Sequence, residues 1–275
     1  MVRRLLHLNV LGALAGFLWF AIVALPIYVL VSASVRGREG YLNKGPLSLI
    51  SSPTLSNFSR VLTSGFLQFI GNTVVITFAV VGIVLVLALP VAYAVVRGTG
   101  WLNRGAFRLF LLGLAIPSQA VIIPVFLIIN RMGLYDTLWA VILPTAAFAL
   151  PISVLILTGS MRDISVELYE AMAIDGARSI RVFFRLVLPL TQSGISTIAV
   201  FTALQAWNGF LFPLILTQSD STKVVTLGLF TFVNQYGADI PALLAGVLLS
   251  AVPILVVYLF ARRALISGLM GVGGK

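Results

Sequence analysis

Residues 72–96 read NTVVITFAVVGIVLVLALPVAYAVV, a stretch without one Asp, Glu, Lys, Arg or His. An α-helix crosses the hydrocarbon of a bilayer with about 20 mostly apolar residues, so these positions predict a transmembrane span. Five other stretches have the same character: about Leu8–Ala33, Phe107–Ile129, Leu138–Met161, Thr191–Leu216 and Pro241–Ala261. No ionisable residue lies in the interior of any of them. Where water is absent, backbone groups must be satisfied within the segment, which selects helices. The two-residue alternation of a membrane barrel is missing. The expected fold is an all-α integral membrane protein of six transmembrane helices, one membrane domain over residues 1–275.

Composition supports the bilayer as solvent. Of the 275 residues 60% are hydrophobic and 9% charged, against about 25% charged in soluble domains. The net charge of +10 does not point to nucleic acid, because the basic residues are scattered between apolar spans and form no single patch. With no cysteine, disulfides and thiolate chemistry are excluded, and His7 alone cannot build a metal site. The first span has two features of a signal peptide: Arg3 and Arg4 precede it, and Val31-Ser32-Ala33 imitates a cleavage site. Its apolar run is far longer than the roughly 7–15 residues of a signal core, so it reads as a retained helix.

Orientation follows the excess of Lys and Arg in cytoplasmic loops. Placing both termini inside puts Arg3, Arg4, Arg97, Arg104, Arg108, Arg162, Arg178, Arg181, Arg185, Arg262, Arg263 and Lys275 in the cytoplasm, twelve of eighteen basic residues. Arg36, Arg38, Lys44, Arg60, Arg131 and Lys223 are left outside. The long external loop Ser34–Gly71 contains a polar, turn-rich stretch, Gly37–Pro53, expected to form a small surface cap. Prolines at 26, 90, 117, 124, 144, 151, 213 and 253 fall within spans and should kink or break them.

The loop 162–189 differs from the others. Asp163, Glu167, Glu170 and Asp175 balance Arg162, Arg178, Arg181 and Arg185, which a purely anchoring loop would not require. Asp163 or Ser165 can cap a helix running to Ile174, and Asp175-Gly176 can stop it, glycine entering the left-handed region without strain. Ser179 can cap a second helix that ends before Pro189. There Ile180, Phe183, Phe184 and Val187 follow i, i+3, i+4, i+7, with Arg178, Arg181 and Arg185 on another face. Periodicity alone leaves three roles open: lying on lipid headgroups, packing on the protein's own helix ends, or filling a partner's groove.

The residues themselves carry a resemblance. Glu170-Ala171-Met172-Ala173-Ile174-Asp175-Gly176-Ala177, followed by Phe183 and Leu188-Pro189-Leu190, looks like the EAA signature of binding-protein-dependent ABC transporter permeases. The likeness extends along nearly the whole chain and narrows to the carbohydrate branch, the maltose-type second permease. Thr54-Leu55-Ser56-Asn57-Phe58, Asn72-Thr73, Pro90-Val91-Ala92-Tyr93-Ala94, Gly133-Leu134-Tyr135-Asp136-Thr137-Leu138-Trp139, Trp207-Asn208-Gly209-Phe210 and the tail from Gly268 to Lys275 are similar to motifs of that branch. Met172 replaces the signature's second alanine, Ser193 a frequent proline, and Gly209 the usual acidic residue after Trp-Asn.

The resemblance implies a type I ABC importer permease fold with a cytoplasmic coupling helix, in a bacterial or archaeal cytoplasmic membrane. It implies a second homologous permease, two ATPase subunits that bind ATP and magnesium, and an extracytoplasmic solute-binding protein. Coupling to the ATPase would fall to Glu170, Ala171, Asp175, Gly176, Ala177, Arg178, Ile180, Phe183, Phe184 and Pro189. This chain has no phosphate-binding Gly-x-x-x-x-Gly-Lys-Ser/Thr segment and is expected to be a transport subunit without cofactor or metal, not an enzyme. A secondary transporter would need Asp, Glu, Lys, Arg or His at membrane depth, which the spans lack; that argument does not reach a channel, and within the resemblance a permease for a polyol or a glycerol-phosphate-like solute is the alternative to one for a sugar or oligosaccharide.

Candidates for the pathway are Gln119, Gln205 and Asn208, whose amides suit sugar hydroxyls, and Trp207 and Phe210, whose rings suit stacking on a sugar. Gln218 and Trp139 share those properties. Amides also bridge helices and tryptophan also settles at interfaces.

Overall fold

The computed structural model describes residues 10–98, 100–234 and 237–271. Arg3, Arg4, His7 and Lys275 lie outside them, as does the end of the glycine-rich tail. The described chain is helical apart from turns, loops and a ribbon of Val233–Asn234 against Gly237–Ala238. The helices are α1 (Val10–Ser34), α2 (Arg38–Lys44), α3 (Ser56–Val61), α4 (Leu67–Arg97), α5 (Trp101–Gly113), α6 (Ile122–Arg131) and α7 (Leu138–Arg162). They continue as α8 (Val166–Ile174), α9 (Ser179–Val182), α10 (Leu188–Leu190), α11 (Gln192–Trp207), α12 (Leu211–Leu216), α13 (Val225–Gly228) and α14 (Ile240–Gly271).

Contacts divide the chain into two compact units, one of residues up to Phe66 with Leu229–Val252, the other of Leu67–Gly228 with the chain from Pro253 on. In the first unit α1 is apolar on every side and exposed along most of its length, as suits a helix that faces lipid. The expected cap after it is present and is organised by Arg36. Its buried guanidinium donates to the Gly45 and Pro46 carbonyls at 3.1 and 3.0 Å and to the Ser48 hydroxyl. Asn57 donates to the carbonyls of Ser34 and Arg36 at 2.7 and 2.8 Å, fastening α3 to the end of α1.

The second unit is built on α4 and α7, with α11 against both. Ile76, Val80, Val84, Ala88 and Ala92 recur every fourth residue on α4 and are buried in one core with Val141, Ala146, Ala149, Val154, Leu157 and Met161 of α7 and Ile198 of α11. Lipid is as apolar as these side chains, so close packing rather than exclusion of water holds the seam. Small residues permit the approach. A Cβ on the buried Gly194 of α11 would lie 2.3 Å from Ser160 Oγ of α7.

Two of the expected continuous spans are broken. The third is α5 followed by a 3₁₀ turn, Ser118–Val121, and α6, with a bend of 92°. Pro117 stands at the break with extended backbone, φ −70° and ψ 132°, and the residue before a proline avoids the helical region. The fifth span leaves the loop with a bend of 74° between residues 179–190 and 192–207. It breaks again at 208–210 before α12, where Asn208 Nδ2 turns back to the Leu204 carbonyl at 2.9 Å. Among the described residues α1, α4 and α7 are long and apolar enough to cross a membrane unaided, and the two bent pairs would cross as broken spans. The sixth expected stretch lies within α14, apolar from Ile240 to Val256.

The motif Gly133–Trp139 proves to be a joint. Gly133 and Asp136 take left-handed backbone, φ 69° and 59°. The Asp136 carboxylate accepts from the amides of Gln218 and Ser219 at 2.8 and 3.0 Å, and Thr137 caps α7 through the amide of Ala140.

Candidate functional site

The loop after α7 folds as two short helices joined by a tight stop. Ser165 occupies the cap position of α8 but does not bond the helix amides. Its hydroxyl, with the backbone amide of Glu167, instead holds the Glu167 carboxyl below its ordinary range, the backbone bond being the larger influence. At the other end the Ala177 amide donates to the Met172 carbonyl at 2.9 Å and the Gly176 amide to the Ala173 carbonyl at 3.0 Å. That is a Schellman closure, and Gly176 supplies its left-handed residue at φ +67°. Met172, which departs from the family signature, and Ala177 both pack against the α4–α7–α11 core.

The second helix corrects the sequence expectation in three respects. Its cap is Arg178, whose carbonyl accepts from Arg181 and Val182 at 2.8 and 3.1 Å, so Ser179 is the first helical residue and not the cap. It does not end before Pro189. A π turn, Phe183–Val187, carries it into α10, with the Leu188 amide reaching the Phe183 carbonyl five residues back. The wider turn gives the Pro189 ring room that a regular turn would deny it against the Arg185 carbonyl. Finally, Ile180, Phe183, Phe184 and Val187 do not share one buried face. Val182 and Val187 are buried, and Phe183 sets its ring 5.3 Å from Tyr93 of α4. Ile180 and Phe184 remain 68% and 59% exposed.

The outward side of the loop therefore carries Ile180 and Phe184 together with exposed Glu170, Ala171, Asp175, Gly176, Arg178, Arg181, Arg185 and Pro189. Ile174, 87% exposed, joins the apolar members and was not singled out from sequence. The inward side is fastened to the end of α4. The Tyr93 hydroxyl donates to the Ser179 carbonyl at 3.3 Å, and the Arg97 guanidinium lies 4.4 Å over the Tyr169 ring. In the sequence Tyr93 is only part of a motif and Arg97 only a positive anchor, since no local pattern links them to residues 169–179.

A second arrangement lies where both broken spans open. A cavity of about 430 Å³ is lined by Pro117, Ser118 and Gln119 at the first break, Thr145 and Phe148 of α7, and Gln205 with 209–213 at the second. It brings together three pathway candidates, Gln119, Gln205 and Phe210. Trp207 is buried and outside the lining, and Asn208 is spent on its own helix end. Gln218 belongs to the Asp136 joint, and Trp139 is exposed and outside the lining. Phe148 and Phe212 add paired rings 5.5 Å apart. Amides, hydroxyls and aromatic faces thus surround a space with no charged side chain among the described residues of its lining.

Comparisons with known proteins agree with this architecture. Residues 84–264 match the family described as binding-protein-dependent transport system inner membrane component. The arabinooligosaccharides transport system permease protein AraQ of Halalkalibacterium halodurans is 33% identical over 265 residues, 94% of either chain. The diacetylchitobiose uptake system permease protein NgcG of Streptomyces coelicolor is 31% identical over 250 residues, 90% of this chain and 82% of that one. A chain in the crystal structure of a bacterial ABC transporter involved in the import of the acidic polysaccharide alginate shares the fold, with a TM-score of 0.79, 19% identity, and coverage of 93% of this chain and 95% of that one.

Proposed function

We propose, for a chain that belongs to the family of binding-protein-dependent transport system inner membrane components, that it forms half of the pathway of an importer for uncharged sugars or oligosaccharides. As the membrane component it is the permease of such a system, and ATP hydrolysis belongs to separate subunits. In this reading six crossings place both termini and the loop 162–189 in the cytoplasm. A second homologous permease, two ATPase subunits and an extracytoplasmic solute-binding protein complete the assembly.

The observation that carries the coupling role is the division of the loop's apolar residues. Val182, Phe183 and Val187 hold it to the chain's own helices while Ile180 and Phe184 stay uncovered between exposed arginines. A loop meant only to pack on its own protein would bury all five. The exposed pair is suited to an apolar groove with an acidic rim, and Glu170 on the preceding helix stands ready for a basic partner.

The sugar assignment rests on the names of the relatives and on the cavity. Gln119, Gln205, Ser118 and Thr145 offer hydrogen bonds to hydroxyl groups, and Phe148, Phe210 and Phe212 offer apolar faces. A phosphate ester or a uronate would call for a cation, and the lining holds none, so a glycerol-phosphate-like substrate fits less well than a neutral sugar or polyol.

The test uses the assembled transporter in liposomes. Ile180→Asp combined with Phe184→Asp should leave membrane insertion intact, remove the ATPase subunits from the purified complex and stop uptake. Normal co-purification and uptake by that double variant would overturn the coupling role. Uptake of uronates in preference to neutral oligosaccharides would overturn the substrate class.

A further inference from the structure

A second cavity, of about 290 Å³, lies behind the coupling loop, between it and the end of α4. Tyr93 and Arg97 of α4, Tyr169 and Ala173 of α8, and Ala177, Ser179 and Val182 line it. Tyr169 is only 5% exposed, and its hydroxyl has no hydrogen-bond partner among the described residues. A buried phenol hydroxyl is costly to leave unpaired. Arg97 sets its guanidinium carbon 4.4 Å from the centre of that same ring and forms no ion pair among the described residues. A guanidinium carries five N–H donors, more than a contact with one ring uses. No carboxylate lines the cavity among the described residues.

A cation set over a ring, an orphaned buried hydroxyl and a described lining without acids fit a receptor for an anion. We propose that this cavity binds a phosphate group, whether of a soluble phosphate ester or of a phospholipid headgroup. Phosphate oxygens can accept from the Arg97 fork and the Tyr169 hydroxyl at once, which one carboxylate oxygen pair does less readily. The alanines and Val182 give the rest of the ligand an uncharged wall. The occupant would touch α4 on one side and both loop helices on the other. It would add a tie beside the Tyr93–Ser179 bond and stiffen the seat of the coupling loop, so that its concentration tunes transport. This site is separate from the substrate cavity and from the outward face of the loop.

Two arms distinguish the sources of the phosphate. In the first, inorganic phosphate is titrated calorimetrically into the assembled transporter in a neutral detergent, with the ATPase sites filled by a non-hydrolysable ATP analogue. A soluble ligand predicts a saturable event weakened about tenfold or more in Arg97→Gln and about threefold in Tyr169→Phe, with Arg97→Lys recovering part. In the second, native mass spectrometry follows phospholipid retained by the purified complex. A lipid source predicts a bound lipid in the wild type that is lost from both variants, with no calorimetric event. Tyr169→Phe keeps the ring beneath Arg97, so it decides the matter if Arg97→Gln fails to assemble. Neither phosphate nor lipid bound in the wild type, or binding unchanged in both variants, would overturn the proposal.

Discussion

Thr222 donates its hydroxyl to the carboxylate of Asp136 at 2.6 Å, joining two loops that lie 86 positions apart in the chain. The amides of Gln218 and Ser219 complete the clamp and hold the Asp136 carboxyl well below the usual carboxylate range, the Gln218 bond first among the causes. A depressed carboxylate contributes stability above its unfolded pKa, about 3.9, and loses it only as pH falls through the lower folded value. The clamp should therefore be insensitive to pH from neutrality down to about 4 and weaken below. Hydrogen exchange at the Gln218 and Ser219 amides measures this. Asp136→Ala should also lower stability by roughly 1–3 kcal/mol, because it removes the acceptor and leaves alanine in a left-handed conformation. Asp136→Asn should recover part of the loss.

Gly176 makes a sharper case about backbone than about space. A Cβ there would meet nothing within 4 Å, yet φ is +67°. Gly176→Ala should cost about 1–2 kcal/mol by strain alone, and Gly176→Asn, which tolerates that region, should cost less. Uptake by reconstituted transporter should follow the same order, with Gly176→Val lowest. Equal activity in all three would mean that the stop between α8 and α9 need not keep its shape.

The approach of α11 to α7 predicts a suppressor. Gly194→Ala would drive a methyl against Ser160, whose Oγ and Cβ would lie 2.3 and 2.8 Å away, and should destabilise by roughly 1–3 kcal/mol. Ser160→Gly should restore most of that in the double variant. A thermal melt of the four proteins gives the coupling, and additive effects would contradict the contact.

If the cavity lined by Gln119, Gln205 and Phe210 holds the substrate as proposed, Gln205→Ala or Phe148→Ala should reduce uptake about tenfold with the ATPase still responsive to binding protein, a loss the size of one or two good contacts. Asn208→Ala, which trims a helix end and no cavity wall, should transport nearly as the wild type does. Initial rates in proteoliposomes separate the two classes.

How much of this was legible in the sequence depends on how local each signal is. The apolar spans and the stop at Asp175-Gly176 could be read directly, because length and a single glycine decide them. The cap at Arg178 was missed by one residue, since serine at 179 is the better capping side chain and tertiary packing overrode it. The π turn has no local signature. Phe183 and Phe184, as neighbours in the chain, point about 100° apart on any helix, so one meets Tyr93 while the other stays exposed, although the i, i+3, i+4 spacing puts both on one broad face. Gln119 and Gln205 stood out as amides in apolar helices, but Thr145 and Phe148 look like ordinary helix residues until the break at Pro117 brings them to the cavity. Arg97 and Tyr169 meet across 72 positions, a pairing that no window of sequence contains.

The bend at Thr191 has a mechanical meaning. Because residues 179–190 meet α11 at 74°, a sideways displacement of the loop becomes a rotation of α11 about its inner end. Gln205 stands 13 residues beyond Gln192, about 20 Å along the axis. A swing of about 10° at the base would carry that amide through about 3.5 Å on such an arm, roughly the length of a hydrogen bond. On the proposed function, a small stroke at the loop would suffice to make or release a hydrogen bond at the cavity that Gln205 lines.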